Sequence, residues 1–265
     1  IVVCSYFSVL ICQITNLKFE HLTVDDGLSN NFIRAITQDS AGFMWFATED
    51  GLNKYDGYTF TVYRNDPNDS TSLSENKVEA LQVGKNGILW VGTNGGGLNV
   101  FNPQTEEFIN FNMDPDNLQG ISNDLIYDLY EDKSGHLWIS IWGKGLFRFD
   151  PGTKKFTHYA HNPDDLNTIS TNIGLRISET IDNGKTILWV GGWGGGLNKF
   201  DLEKNQWTHF WHNPNNKNNL CDNYIDDVYT DNSGILWIST AWNGLDKLDL
   251  RTGRFTNYRH DSSNP

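Results

Sequence analysis

The sequence predicts an all-β protein, a β-propeller built of four-stranded antiparallel blades, and three observations support this. Aromatic residues make up 13% of the 265 residues and are accompanied by 25 glycines, a composition typical of strands separated by tight turns. A Leu-Trp or Met-Trp pair recurs, with its tryptophan at Trp45, Trp90, Trp138, Trp189 and Trp237. These spacings of 45 to 51 residues match the length of one propeller blade.

Each repeat contains the same parts in the same order. In the third repeat an apolar strand, "LIYDLYED", follows the Ser-containing stretch "ISND". A turn with Gly135, the tryptophan strand "LWISI", the strand "GLFRFD" and the aromatic strand "KKFTHYA" complete it. One such sheet cannot bury both of its faces, so the blades must stack around a common axis. The five predicted blades span about 28–64, 73–112, 121–160, 169–211 and 220–260.

The first residues do not fit a complete repeat. Residues 1–16 are apolar and too short to span a bilayer, so they read as the remnant of a secretory signal or, alternatively, as a buried first strand. Residues 17–24 resemble a fourth, outer strand that has no blade of its own. Propellers commonly close by pairing such a strand with a blade from the other chain end. We therefore expect residues 17–265 to be part of a six- or seven-bladed ring, with seven preferred.

Charge and motifs exclude several classes of function. The chain has 20 basic and 33 acidic residues and a net charge of −13, which argues against a nucleic-acid partner and against anionic lipid. No Ser-His-Asp order, HExxH or P-loop is present, so we predict no catalytic residues. The pairs His158/His161 and His209/His212 point to opposite faces of their strands. We therefore predict neither a metal nor a cofactor.

Candidate ligand-binding residues fall on loops at one end of the predicted channel. The loop between the second and third strands and the loop that leads to the next blade emerge at this same end. Tryptophans beyond those of the core, flanked by Asn and Asp, suit a sugar, because its C–H face stacks on a ring while its hydroxyls form hydrogen bonds. The alternative is that these rings only cover the channel. The loop candidates are Glu49, Asp50, Asn94, Trp142, Trp193 and Trp242.

The innermost strands add further candidates that line the channel. These are Arg34, Tyr127 and Arg176, beside the acidic residues Glu79, Asp226 and Asp227. A guanidinium group forms bidentate bonds with carboxylates, so Arg34 and Arg176 could contact an anionic sugar. Pairing with the neighbouring acids is the preferred interpretation.

The stretches "DSAGFMWFATEDGL", "GLNKYDG", "DNSGILWIST" and "HNPDDLNTIS" resemble the two-component regulator propeller family. The resemblance covers about residues 17 to 265. Blade 1 lacks paired glycines, blade 4 has "GG" in place of "GT", and blade 5 begins with Cys221. The resemblance implies the periplasmic sensor region of a hybrid histidine kinase, a class found mostly in gut Bacteroidetes, which detects breakdown products of complex carbohydrates.

The expected function is therefore that of a non-catalytic, periplasmic ligand-sensing propeller. Its expected partners are an oligosaccharide, the remaining blades and the downstream sensor-kinase domains, with a homodimer as a further candidate. The alternatives are a carbohydrate-active propeller enzyme, either a lyase or a hydrolase, and a protein-interaction scaffold.

Overall fold

The computed structural model describes residues 19–111, 125–182, 184–216 and 218–260. These residues form 20 strands, arranged in five four-stranded antiparallel sheets, and one short 3-10 helix at Val24–Asp26. The predicted all-β fold with five blades is confirmed.

Each blade uses four consecutive strands, so neighbours in the chain are also neighbours in the sheet. The strands are, in blade 1, β1 Ile33–Gln38, β2 Met44–Thr48, β3 Gly51–Tyr55 and β4 Phe60–Tyr63; in blade 2, β5 Val78–Val83, β6 Leu89–Thr93, β7 Leu98–Asn102 and β8 Glu107–Phe111; in blade 3, β9 Ile126–Glu131, β10 Leu137–Ile141, β11 Gly145–Asp150 and β12 Lys155–Tyr159; in blade 4, β13 Arg176–Asp182, β14 Lys185–Gly192, β15 Gly196–Asp201 and β16 Gln206–Phe210; and in blade 5, β17 Ile225–Thr230, β18 Ile235–Thr240, β19 Gly244–Asp249 and β20 Arg254–Tyr258. The first strands of consecutive blades contact one another, so β1, β5, β9, β13 and β17 form the inner wall.

Buried side chains form cores between consecutive blades. The core of blades 1 and 2 joins the indole of Trp45, which is fully buried, to Phe101 of β7, with ring centroids 5.2 Å apart. Trp138 of blade 3 contacts Phe200 of blade 4 in the same way, at 6.2 Å. Four such cores join the five blades among the described residues, one at each junction in chain order.

The indole N–H of each blade tryptophan is satisfied by a residue near the end of a first strand. Asp39, Asp132 and Asp231 accept this bond in blades 1, 3 and 5, at 2.8, 2.9 and 3.0 Å. Blade 2 has Gly84 at that position, and Glu131 of blade 3 reaches across to Trp90 at 3.2 Å. The bond therefore ties two blades together where the blade's own acceptor is missing.

Blade 4 departs from this pattern. Its hairpin between β13 and β14 is longer than the others, and Thr180 accepts the Trp189 indole N–H at 3.0 Å. In blades 2 and 3 the corresponding turn bonds to the next blade, as Lys133 N–H does to Glu179 at 3.0 Å. A cleft of about 1050 Å³ opens between blades 4 and 5, lined by residues that include Trp189, Asp231 and Arg251. It contains none of the predicted ligand-binding residues.

The predicted outer strand at 17–24 has no strand structure in its described part. Residues 19–23 are irregular, and Val24–Asp26 form the 3-10 helix, capped by the side chain of Thr23. A strand requires a hydrogen-bonded neighbour, and the prediction placed that neighbour outside this sequence. The pairing of this segment stays a prediction. The apolar residues 1–16 and the predicted beginning of blade 3 at 121 lie outside the described residues.

Candidate ligand site at the channel mouth

One backbone hydrogen bond in each of blades 2 to 5 fixes the loop at the channel mouth. The first residue of the loop between the second and third strands donates its N–H to a carbonyl just ahead of the first strand. Trp142 bonds in this way to Leu125, and Trp193 to Ile173, each at 3.0 Å. The same bond joins Asn94 to Lys77 at 2.9 Å. Loop and inner strand therefore present their side chains at the same end of the blade.

Five aromatic side chains form a continuous row across this end of blades 3, 4 and 5. Consecutive ring centroids are 5.2, 5.6, 6.3 and 4.8 Å apart, and every contact is edge-to-face. Edge-to-face contact is favourable between aromatic rings and leaves part of each ring uncovered. We call this set the aromatic row; it consists of Tyr127, Trp142, Trp193, Tyr224 and Trp242.

Gly174 lies directly against two rings of the aromatic row, and the row is exposed to solvent. A Cβ at Gly174 would lie 3.0 Å from the Trp193 ring and 3.2 Å from that of Trp142, and the φ of Gly174 is +58°. Only glycine fits this close approach without strain. Trp142, Tyr224 and Trp242 are 38%, 41% and 68% exposed. Such exposure is unusual for tryptophans and marks a surface suited to a ligand.

The three loop tryptophans do not occupy equivalent positions in their blades. Trp142 and Trp193 each lie four residues after their blade tryptophan, whereas Ala241 holds that position in blade 5. Trp242 is the next residue along and contacts the row through Tyr224, which sequence analysis missed. Tyr224 directly follows Asn223, as Phe32 follows Asn31 in blade 1, so the repeat alignment contained its position but not its contact.

Blades 1 and 2 contribute mainly charged residues, beside the ring of Phe32, whose centroid lies 4.4 Å from the Arg34 guanidinium. The Arg34 guanidinium lies 2.8 Å from Glu49 and 3.2 Å from Glu79. Lys77 lies 3.7 and 3.8 Å from the same two carboxylates, and the Asn94 amide donates to Glu79 at 3.3 Å. We call these five polar residues the charged cluster. Its two cations and two carboxylates balance.

Asp50 lies apart from the charged cluster. Its carboxylate pairs with Arg64, which follows the outer strand β4, at 2.9 Å. Glu49 and Asp50 are neighbours in a tight loop, so their side chains leave it in different directions. A ligand contact of Asp50 therefore stays a prediction that is separate from the charged cluster.

Arg176 joins three blades. Its guanidinium lies over the Tyr127 ring, 4.2 Å from the centroid, and donates to the Tyr127 carbonyl at 3.0 Å. It lies 3.5 Å from the Asp128 carboxylate and donates to the Asp226 carbonyl at 3.3 Å. Like Arg34, Arg176 uses its guanidinium for contacts within the protein. This agrees with the preferred interpretation that both arginines pair with neighbouring acids.

Two carboxylates border the aromatic row. Asp226 accepts the indole N–H of Trp193 at 3.2 Å. Asp128 accepts the N–H of Ile177 at 2.9 Å, and burial raises its pKa to about 6. The guanidinium of Arg176 opposes this rise in the pKa, and the charge of Asp227 adds to it. The residue pattern identified neither Asp128 nor its burial, because its neighbours come from blades 4 and 5.

The fold and this mouth define a multi-bladed β-propeller with a composite surface of aromatic and charged residues at one end of its channel. The family model for the two component regulator propeller matches residues 27–50, 72–95 and 120–143. The first three blades therefore contain repeats of the two-component regulator propeller type.

Three known proteins to which this chain is similar are compared with it by sequence or by structure. Over 62 residues, or 23% of this chain and 4% of the relative, the sequence is 52% identical to histidine kinase P4 of Formosa agariphila. The extracellular domain of a putative hybrid two-component system from B. thetaiotaomicron is 28% identical, with a TM-score of 0.66, over 92% of this chain and 37% of that domain. Virginiamycin B lyase from Staphylococcus aureus shares the fold at 15% identity, with a TM-score of 0.61, over 88% of this chain and 72% of the lyase.

The chain thus spans a small part of the first two of these relatives. Within the described ranges, no helix combines the length and the apolar character that a membrane crossing requires. In the same part of the chain, no three His, Cys, Asp or Glu side chains converge in a way that could hold a metal ion.

Proposed function

We propose that this chain is part of the periplasmic sensor region of a hybrid two-component system and that it binds an oligosaccharide on the aromatic row. In this proposal the propeller itself is non-catalytic. It passes the binding signal to a histidine kinase in the same protein. The similarity to the extracellular domain of a hybrid two-component system and to a histidine kinase supports the sensor role.

The aromatic row is the observation that carries the proposal of a sugar ligand. Three of its rings are more than a third exposed, although apolar rings of this size are normally buried. Sugar rings present C–H faces that stack on indoles, while amides and carboxylates at the edge take up the hydroxyls. Asp226 beside Trp193, and Asn94, which pairs with Leu125 just before the first strand of blade 3, supply such polar groups.

The scaffold and enzyme alternatives predict different behaviour. A lyase with this fold exists among the structural neighbours, but at 15% identity the likeness concerns only the fold. In the charged cluster, Glu49 and Glu79 both lie beside Arg34 and Lys77, an arrangement typical of structural ion pairs. A scaffold would use the mouth as rigid cover and would bind no sugar there.

Signalling requires a change that reaches other parts of the protein. Ligand binding shifts an equilibrium only if the ligand binds one arrangement more tightly than another. We propose that blades closing a seven-membered ring, a downstream domain or a second copy of the chain provides the second arrangement. The aromatic row spans three blades, so a ligand lying across it would resist changes in their relative angles.

Calorimetric titration tests the binding proposal. The complete extracellular region that contains this chain is titrated with four trisaccharides: cellotriose, N-acetylchitotriose, chitotriose and trigalacturonate. We expect saturable binding of at least one sugar, recovered intact. Trp193→Ala should weaken binding about tenfold or more, since a lost ring contact of about 1.4 kcal/mol is a factor of ten.

Trp211→Ala is the matched control, because Trp211 is 48% exposed, contacts His209 and lies outside the aromatic row. The affinity of this variant for the sugar should equal that of the unmodified protein. Shortened sugars would point to an enzyme. Absence of binding by all four sugars would favour the scaffold.

A further inference from the structure

We infer that the preferred oligosaccharide carries protonated amines, so that the aromatic row and its carboxylates together recognise an amino sugar. This inference rests on the proposed function, because it assumes that a sugar binds at the row. It specifies the charge of the ligand, which neither the fold nor the comparisons provide.

The first argument is the balance of charge beside the row. Three carboxylates lie at the row, near the single guanidinium of Arg176. That of Asp128 is 3.5 Å from the guanidinium, and that of Asp227 is close enough for its charge to act on it. The carboxylate of Asp226, whose backbone carbonyl bonds Arg176, accepts the indole N–H of Trp193. The side chain of Asp128 is 20% exposed and lies close enough to Asp227 for the two charges to repel. Opposite the row, the charged cluster balances its own charges and adds no excess of positive charge. A bound cation would relieve the repulsion among the carboxylates.

The second argument is that Arg176 and Arg34 are engaged and do not present free guanidinium groups. Arg176 bonds two backbone carbonyls and lies against the Tyr127 ring, and Arg34 contacts two carboxylates. A carboxylated or sulfated sugar would therefore meet carboxylates at the row before it met a free cation.

The third argument is that aromatic rings beside carboxylates are a favourable environment for an ammonium group. A cation within about 6 Å of an indole face is attracted by the ring, and an ammonium group has three N–H bonds to donate. Asp226 already touches the edge of Trp193, so one amine can contact both the ring and the carboxylate. A neutral acetamido group at the same place is attracted less strongly than an ammonium group, both by the ring and by the carboxylate.

The four trisaccharides separate the possibilities. We expect chitotriose to bind about tenfold more tightly than N-acetylchitotriose and trigalacturonate to bind most weakly. Raising the salt concentration should weaken the binding of chitotriose and leave that of N-acetylchitotriose unchanged. Asp226→Asn should reduce the affinity for chitotriose about five- to tenfold without altering that for N-acetylchitotriose.

Asp227→Asn provides a second variant, because Asp227 is exposed and its replacement disturbs the fold less than a change at Asp226. Asp164→Asn, on an exposed loop between blades, is the control and should leave both affinities unchanged. If N-acetylchitotriose or trigalacturonate bound as tightly as chitotriose, the inference on charge would be wrong, while sugar binding at the row would stand. If no sugar bound, the proposed function would fail together with the inference.

Discussion

Asp128 shows how single residues at the mouth acquire properties from blades other than their own. The side chain belongs to β9 of blade 3, but its hydrogen-bond donor is Ile177 of blade 4. The charged groups facing it are Arg176 of blade 4 and Asp227 of blade 5. Burial outweighs the guanidinium, so the carboxyl group holds its proton more tightly in the folded protein than in the unfolded chain.

The raised pKa of Asp128, about 6 against an ordinary value of 3.8, predicts a pH-dependent loss of stability. The folded chain retains this proton between about pH 4 and 6, so the free energy of unfolding falls as the pH rises through that window. Asp128→Asn cannot titrate there. Relative to this variant, the unmodified protein should lose roughly 1–3 kcal/mol between pH 4 and 7.

Urea unfolding of both proteins at several pH values measures this difference. Comparison with the variant removes the contributions of other carboxylates, such as Asp231, whose pKa is lowered by bonds from Ser233 and Trp237 and which acts in the opposite direction. Parallel curves for the two proteins across pH 4 to 7 would show that the Asp128 pKa is not raised.

At the residue scale, the sequence predicted positions better than contacts. The repeat alignment placed Trp142 and Trp193 at the mouth, because each lies four residues after its blade tryptophan. It grouped Trp242 with them although its offset differs, and it gave no sign of Tyr224 as the connecting ring. Such contacts depend on the distance between neighbouring blades, which no spacing within a repeat contains.

At the scale of the blade, a buried amide joins the third strand to the stretch that precedes the first. Asn53, Asn99 and Asn198, all fully buried, accept the N–H of Ser29, Ser74 and Ser170 at 2.9 to 3.0 Å. In blade 5, Asp246 accepts the N–H of Cys221 at 2.8 Å. In blades 1, 2 and 4 the Ser-containing stretch is thus an anchor point, and in blade 5 Cys221 takes the place of the serine as a small buried residue.

Asn198→Leu tests this anchor. The substitution keeps the number and branching of the side-chain heavy atoms but leaves the N–H of Ser170 without its acceptor, and the side chain also loses its bond to the Val190 carbonyl. We expect a loss of about 2–4 kcal/mol in the free energy of unfolding.

Thr208→Ala, on the exposed face of the neighbouring strand β16, is the control and should change stability by about 0.5 kcal/mol at most. Chemical denaturation of both variants compares the two costs. If Asn198→Leu unfolded at the same denaturant concentration as the control, the buried amide would have no anchoring role.

At the scale of the whole molecule, the two end blades each present a face that is covered in the blades between them. On blade 1 this face is half-buried, whereas the same positions of blade 2 are at most 4% exposed. The two sets are Ile33, Met44, Phe46, Tyr55 and Phe60 in blade 1 and Val78, Leu89, Val91, Phe101 and Phe108 in blade 2. Further blades of the proposed ring would cover the face of blade 1.

Matched polar substitutions measure how far each face is covered. Val91→Ser should cost about 2–4 kcal/mol in this chain, because Val91 is fully buried between blades 1 and 2. Phe46→Ser should cost about 1 kcal/mol or less, since Phe46 is half-buried and packs on Phe60 of its own blade.

In the complete extracellular region the two costs should become similar, because neighbouring blades would then cover both positions. Thermal unfolding of both substitutions, each made in this chain and in the complete extracellular region, provides the comparison. A Phe46→Ser cost that stayed small in the longer protein would contradict a ring in which another blade packs on blade 1.

The blade count and order followed from the sequence because each blade is a local unit of consecutive strands. The number of blades in the ring did not follow, because closure depends on small angles between neighbouring blades. Blade 4 illustrates the limit. Its Asn172 and Trp189 are three residues farther apart in sequence than Asn223 and Trp237 of blade 5, and the repeat pattern did not predict the cleft between these two blades.

Oxidative footprinting of the tryptophans tests most directly whether a ligand lies on the aromatic row. The complete extracellular region is oxidised with and without each of the four trisaccharides, and modification is quantified at single residues. A bound sugar should protect Trp142 and Trp242, which are 38% and 68% exposed, and leave Trp211, which is 48% exposed, unchanged. Protection of Trp211 alone would contradict a ligand site at the channel mouth. So would a sugar that binds but leaves the oxidation of all three tryptophans the same as without sugar.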